Sequence, residues 1–154
     1  MVWCASKNKY IEAEKLLKND IVCLHRSEYG LTSIQSQVIL GKLLGDGHLA
    51  STKWSSLVAW GHTESDIDYV KWAIRALGDL ASPKIETAKS GYGSVMKRAR
   101  TTNSSHIKNK FESFIKRVKK IVPEWVIEDL TPLAIAFWYM DDGTLSHDEA
   151  QQDR

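Results

Sequence analysis

The sequence predicts an α+β fold with antiparallel strands, and three observations carry that prediction. Apolar residues recur at helical spacing in five segments, two of which are separated from their successors by stretches of alternating pattern broken at turn residues. The alternating stretches read as paired arms joined by short turns, which antiparallel pairing permits; a parallel sheet would instead place a helix between single strands. The chain of 154 residues, with 43% hydrophobic and 26% charged content, is large enough to bury a core as one domain without a disulfide or metal staple. The order is helix, hairpin, helix, hairpin, helix, helix, after a short N-terminal helix.

Taken in order, residues 7–18 (KNKYIEAEKLLK) read as a short amphipathic helix with Tyr10, Ala13, Leu16 and Leu17 on one side. Residues 26–31 are a connector ending at Gly30. Thr32 or Ser33 is an N-cap for a helix in which Ile34, Val38, Gly41 and Gly45 share a face. Ile39, Leu40, Leu43 and Leu44 widen its apolar surface, so this helix is expected to be buried on more than one side. Gly41 and Gly45, four apart, make a flat patch for close approach of another backbone. Asp46-Gly47 stops the helix. A hairpin follows, with its turn near 51–53 and a β run over 57–60. Ser65 caps the next helix, where Ile67, Val70, Ile74 and Leu77 fall at helical spacing before Gly78. KIETAK and VMKRARTT are the arms of a second hairpin around SGYGS. Ser104 or Ser105 starts a third long helix, carrying Ile107, Phe111, Phe114, Ile115 and Val118 up to Pro123. Thr131 caps the last one, with Pro132 at its first position and Asp141-Asp142-Gly143 at its end.

Composition excludes several classes. No apolar run approaches the roughly 18 residues of a membrane span. The opening MVWCASKNKY has no apolar signal core, so secretion is not expected. Cys4 and Cys23 make neither a zinc set nor a disulfide framework, and a reducing compartment is expected. The formal net charge of +2 conceals a strong asymmetry: residues 1–83 are neutral, 84–120 carry +9 and 121–154 carry −7. The basic stretch is a candidate polyanion-binding surface.

Two segments carry chemistry. ILGKLLGDG (39–47) and IAFWYMDDG (135–143) are each an apolar helical run ending in acid-glycine. A lone Asp-Gly is ordinary turn chemistry. An Asp at a helix C-terminus, however, faces the negative end of the macrodipole, at a penalty of roughly 0.3–1 kcal/mol. A pair of such ends calls for something positive, and a hard divalent cation is the natural compensator. If the two helices pack in parallel, Asp46 and Asp142 meet at one end, where like charges repel unless a cation neutralises them.

ILGKLLGDGHL and LTPLAIAFWYMDDGTL, with Asp46 and Asp142 96 positions apart, resemble the paired motifs of LAGLIDADG homing endonucleases. GHTESDIDYV and IVPEWVIEDL are similar to a bacterial, phage and organellar branch of that family, and the likeness covers residues 35–145. The resemblance implies an αββαββα fold, with motif helices packed at a pseudo-twofold axis and a saddle-shaped antiparallel sheet set in the DNA major groove. It implies a site-specific endonuclease that hydrolyses double-stranded DNA with Mg²⁺ or another divalent cation, encoded within a mobile intron. Asp46 and Asp142 match the metal-binding acids, and the carbonyls of Gly45 and Asp141 match main-chain metal contacts. His62 falls where the family often has a polar residue that orients water. Lys120, just before IVPEW, falls where this branch carries a basic residue near the phosphates. The expected DNA-reading set is Lys53, Trp54, Ser56, Lys84, Glu86, Lys97, Arg98, Arg100 and Asn103, through contacts such as Arg to guanine and Asn to adenine. A one-residue slip in strand register would invert that set.

On this reading residues 1–30 are an N-terminal helical extension, 31–130 a first domain, and 131–154 the second motif helix with a truncated start of a second domain. Two departures stand out. Phe137 and Asp141 occupy positions where the family pattern is often small, opposite Gly41 and Gly45. Only eleven residues follow Gly143, and they cannot form a second sheet. A truncated remnant, one part of a split protein joined by a complementing half or by self-association, and a smaller protein of altered activity all fit. The alternative function is a non-catalytic nucleic-acid binder or an RNA-splicing maturase acting on intron RNA. An intein is not expected, because the chain lacks splicing blocks. The expected location is bacterial or phage cytoplasm and nucleoid, or an organellar matrix.

Overall fold

A computed structural model describes residues 2–4, 9–15, 17–18, 22–23, 30–89, 93, 95–117 and 119–143. Three short strands, β1 (Val2–Cys4), β2 (Lys9–Ile11) and β3 (Val22–Cys23), form an antiparallel sheet in the order β2-β1-β3. This corrects the helix expected over 7–18: a strand occupies 9–11, and only a 3₁₀ turn follows at Ala13–Lys15. The physical reason is length. Helices this short are marginal in water, whereas strand pairing satisfies the backbone of Lys9–Ile11 at once. Most of the connector at 26–31, four of the five turn residues at 90–94, Val118 and everything beyond 143 lie outside the described residues.

The main unit follows in the predicted order. Helix α1 (Ser33–Leu44) starts at a capping box, in which Thr32 Oγ1 accepts from the Gln35 amide at 3.1 Å and Gln35 Oε1 accepts from the Thr32 amide at 3.0 Å. Strands β4 (His48–Ser51) and β5 (Ser56–Thr63) form the first hairpin, and helix α2 (Ile67–Leu77) ends at Gly78, whose φ of 58° needs glycine. Strands β6 (Glu86–Lys89) and β7 (Val95–Arg100) form the second hairpin. The four strands make one antiparallel sheet in the order β4-β5-β7-β6.

Helix α3 (Ser105–Phe111) is capped by the Ser104 hydroxyl and is shorter than expected. A 3₁₀ turn at Glu112–Phe114 leads into a small hairpin of β8 (Ile115–Lys116) and β9 (Lys119–Lys120) in place of a helix running to Pro123. Periodicity alone could not separate the two. Phe114 is buried as a helical spacing would have it, but Ile115 and its neighbours pair as strands, and β-branched residues favour that choice. Helices α4 (Val126–Asp129) and α5 (Pro132–Asp142) complete the unit.

Strand register divides the sheet into two faces. Val58, Trp60, Ala99 and Thr101 turn toward the helices and are buried. Ala59 and Gly61 alternate with them onto the open face, opposite Arg100 and Arg98 of β7. Helix α1 runs through the core, with every residue from 36 to 43 buried. Its other neighbour is α5, and the two run parallel: Gln37 bonds the Asp129 carbonyl and Thr131, Gly41 meets Ala134 and Phe137, and Gly45 meets Asp141.

Candidate active site at the ends of the motif helices

The glycines of α1 set the geometry. A Cβ on Gly41 would lie 2.5 Å from both the Ala134 carbonyl oxygen and Phe137 Cβ, and one on Gly45 would lie 2.5 Å from Asp141 Cβ. The two large residues on α5 are therefore accommodated by the two absent side chains on α1. The departure at Phe137 and Asp141 is steric complementarity, and Phe137 gains a further stack on Trp72, with ring centroids 4.5 Å apart and planes within 3°. Close parallel packing carries both helices to a common end. Asp46 and Asp142 stand there, both exposed.

Beneath them lies a buried polar cluster that sequence reasoning missed. Lys42 is among the largest fully buried side chains, and it forms an ion pair with Asp141 at 2.7 Å in which neither side chain reaches solvent. Its ammonium also donates to the Tyr69 hydroxyl at 3.0 Å. That hydroxyl lies 2.8 Å from Asp141 Oδ1, and His62 Nε2 lies 3.1 Å from the same oxygen. One carboxylate oxygen thus gathers three donors from α1, α2 and β5. Asp141 Oδ2 is buried against Gly45 with no hydrogen-bond partner. Lys42 reads in the sequence as a polar interruption of an apolar run. Only its partner 99 positions away makes its burial tolerable, and no local pattern announces that partner.

Charge in the cluster is strongly shaped by the fold. Burial would raise the Asp141 pKa, but the hydrogen bond from His62 and the adjacent Lys42 ammonium, with Tyr69, hold it below the usual carboxylate range. Burial lowers Lys42, against the opposing pull of Asp141. Burial and the bond to Asp141 push the Tyr69 phenol well up. At the surface, Asp46 is raised, first by the protein mass around it and then by the negative charges of Asp142 and Asp141. Two like charges share this end of the molecule, as the parallel packing requires.

The expected site residues fall into distinct places. His62 lies inside β5, on the face turned toward the helices, and is engaged with Asp141 beneath the acids rather than standing free above them. Lys120 reaches the C-terminal carbonyls of α1, donating to Gly45 O and, at 3.4 Å, to Gly47 O. Arg98 and Arg100 are exposed on the open face, with Glu86 between the Arg100 guanidinium at 3.8 Å and the Lys84 ammonium at 3.5 Å. Lys53 sits over the exposed Trp54 ring at 4.6 Å, at the tip of the β4–β5 hairpin. Asn103 is exposed beyond the end of β7. Two members of the set face the wrong way. Ser56 is fully buried, its hydroxyl bonded to Ser51, and Lys97 turns to the other face, where it pairs with Glu64 at 2.9 Å. The cause is parity: the 61↔98 and 62↔97 pairings put even residues of both strands on opposite faces. The same register adds His48, Ala59, Gly61 and Met96, which with Arg98 and Asp46 line an open cleft of about 460 Å³ beside the acids.

The oxygens at this helix end, the carboxylates of Asp46 and Asp142 and the carbonyl of Gly45, are hard donors of the kind that would suit Mg²⁺ or Ca²⁺. Among the described residues no group of three or more His, Cys, Asp and Glu side chains is placed to hold a metal ion, so main-chain oxygens or water would have to complete a set. The parallel packing that carries the two exposed carboxylates to one helix end is the observation that fits a cation. Among the described residues no helix is long and apolar enough to cross a membrane.

The chain is 32% identical over 139 residues to a protein RecA of Mycolicibacterium chitae, matching 86% of this chain and 31% of that one. It is 30% identical over 140 residues to a protein RecA of Mycolicibacterium flavescens, matching 89% and 32%. A probable intron-encoded endonuclease 1 of Wickerhamomyces canadensis is 25% identical over 118 residues, matching 73% of this chain and 51% of that one. The chain thus spans about a third of the RecA relatives and about half of the Wickerhamomyces protein. Among solved structures, the homing endonuclease I-WcaI bound to its DNA recognition sequence superposes with a TM-score of 0.60 at 24% identity, over 72% of this chain and 51% of that one, which establishes a shared fold. A family model described as the LAGLIDADG DNA endonuclease family matches residues 36–152, a span that takes in both acid-glycine helices, the four-stranded sheet and the buried cluster between them, and the chain belongs to that family.

Proposed function

We propose that this chain is a site-specific, metal-dependent endonuclease that hydrolyses phosphodiester bonds of double-stranded DNA, with Asp46 and Asp142 as its metal-binding acids. The observation that carries the proposal is the meeting of these two acids at the shared end of parallel, touching helices, next to a sheet whose open face presents Arg98 and Arg100. Mg²⁺ bound there would polarise the phosphate and activate water. The carbonyls of Gly45 and Asp141 would complete its oxygen set. Arg98 and Arg100 would read base edges in the major groove, Lys53 and Lys84 would meet phosphates, and Lys120 would place its ammonium at the rim of the acids. His62, donating to Asp141 at 3.1 Å, would fix the end of α5 instead of orienting water directly. That the chain matches about half of the Wickerhamomyces relative and of I-WcaI supports a complementing half or self-association as a partner in double-strand cleavage.

The test is Mg²⁺-dependent cleavage of supercoiled plasmid carrying the flanking genomic sequence, read as nicked and linear products. Nicking with little linear product is expected of this chain. Asp46→Asn and Asp142→Asn are each expected to lower cleavage by about 10²-fold or more, with duplex affinity in Ca²⁺ held within about threefold. Full activity in either variant would overturn the metal assignment.

A further inference from the structure

The α1 side of the proposed cation site already holds a cation belonging to the chain. Lys120 closes β9, the return strand of a hairpin with only two residue pairs, Ile115↔Lys120 and Lys116↔Lys119. The turn is tight enough to hold Arg117 at φ 47°, in the left-handed region that non-glycine residues seldom adopt. The chain is tied back beyond the hairpin too, since the Ile121 amide donates to the Phe114 carbonyl at 2.8 Å. This fold-back delivers the Lys120 ammonium to the carbonyls of Gly45 and Gly47. Gly45 is the C-cap of α1, so its oxygen lies at the negative end of that helix dipole. It is also one of the oxygens assigned above to the metal. The α5 end differs: its last turn carries no basic residue, and the lysine nearest it, Lys42, is spent on the buried side chain of Asp141.

We propose that Lys120 is the resident counter-ion of the α1 half of the site, held on the Gly45 carbonyl until a divalent cation displaces it toward a DNA phosphate. The inference rests on Asp46 and Asp142 holding that cation. An ammonium and a divalent ion compete for one carbonyl oxygen, and a unit charge a few ångströms from a doubly charged ion opposes it even at an effective dielectric of about 20. The two halves of the site therefore load unequally, the α1 half being the weaker. Linkage makes the effect reciprocal: a phosphate that draws Lys120 away strengthens cation binding beside Asp46, and the cation strengthens the hold on the phosphate. Lys120 acts as a positioning residue that couples the two ligands.

An ordinary helix-capping lysine would bond the same carbonyls, so the experiment must separate the two. Ca²⁺ is titrated into the DNA-free full chain by calorimetry, for the wild type and for Lys120→Met, Lys119→Met and Asp46→Asn, each first checked for a cooperative melt. Lys120→Met is expected to bind Ca²⁺ about tenfold more tightly, and Lys119→Met, which removes the same charge from the neighbouring exposed position, to stay within about twofold. Lys120→Gln keeps an N–H donor for the carbonyls and serves if the methionine variant does not fold; it is expected to tighten binding at least about threefold. Equal Ca²⁺ affinity in wild type and both Lys120 variants overturns the proposal, leaving a cap. A wild type whose Ca²⁺ uptake is absent, or is unmoved by Asp46→Asn, overturns the underlying metal assignment instead.

Discussion

Helices α1 and α5 end in nearly the same letters, LGDG at 44–47 and MDDG at 140–143, and the fold wires the two ends differently. Where it faces α5, the α1 end offers glycines and backbone carbonyls. Gly41 and Gly45 supply room, and the carbonyls of Gly45 and Gly47 receive Lys120. The α5 end reverses this. Phe137 and Asp141 fill the room, and the Asp141 carboxylate reaches inward to Lys42, Tyr69 and His62. One helix is core on nearly all sides, while the other keeps Ile135, Tyr139 and Met140 exposed. A symmetric motif can thus present a symmetric pair of acids on an asymmetric support. What the pair of acids needs is a common end, and that is set by small residues facing large ones, not by identical helices.

The most severe way to break this comparison is to remove the buried charge that holds the α5 end. Lys42→Met leaves Asp141 ionised, buried and short of its closest partner, and is expected to destabilise the fold by about 3–5 kcal/mol in urea denaturation. The double variant Lys42→Leu with Asp141→Ala removes both charges and is expected to recover most of that loss. If the double variant is no more stable than the single one, the pair is not the unit that ties the helices together.

That pair also marks the limit of what could be read from the sequence. The two motif helices and the order of the hairpins in the main sheet were legible, because apolar period and acid-glycine ends are local signals. Lys42 was not: within ILGKLLG it is a single lysine in an apolar run, and its partner comes from 99 residues away. Ser56 and Lys97 were placed on the wrong face because face depends on pairing between strands, and composition along one strand does not fix it. The basic hairpin of β8 and β9 was hidden inside a plausible helical period, so Lys120 was found through the family resemblance and not through its geometry.

A smaller effect sharpens the steric half of the comparison. Gly41→Ala adds a methyl 2.5 Å from the Ala134 carbonyl and Phe137 Cβ, so one helix must shift, and a loss of about 1–3 kcal/mol is expected. Pairing it with Phe137→Leu, which keeps the Cβ but frees α5 from the stack on Trp72 and so lets that helix shift, should return part of that loss in a double-mutant cycle. Additive losses would mean that the helices do not meet where Gly41 faces Phe137.

Acid titration separates the two carboxylates more gently, because their pKa values move in opposite directions. Asp141 lies below its ordinary value, so the stability it contributes is fully present above the unfolded pKa of about 3.9 and is lost as pH falls from there through the depressed folded value. Asp46 lies above its ordinary value. In the window just above pH 4 the folded state binds the extra proton, so stability linked to Asp46 falls as pH rises through its raised folded pKa. At neutral pH the Asp46 charge is therefore a small liability, set first by the protein mass around it and then by Asp142 and Asp141, and softened by solvent, since the residue is exposed. Asp46→Asn should then raise stability at pH 7 by up to about 0.5 kcal/mol, while Asp141→Asn, which strips the ion pair from Lys42, should lower it by several times as much. Thermal or urea denaturation of the two variants at pH 7, in chelator, reads the signs directly. Opposite signs mean that the Asp46 charge opposes the folded state while the Asp141 charge holds it together. A loss of stability in Asp46→Asn would place that acid among the structural groups and remove the contrast between the two helix ends.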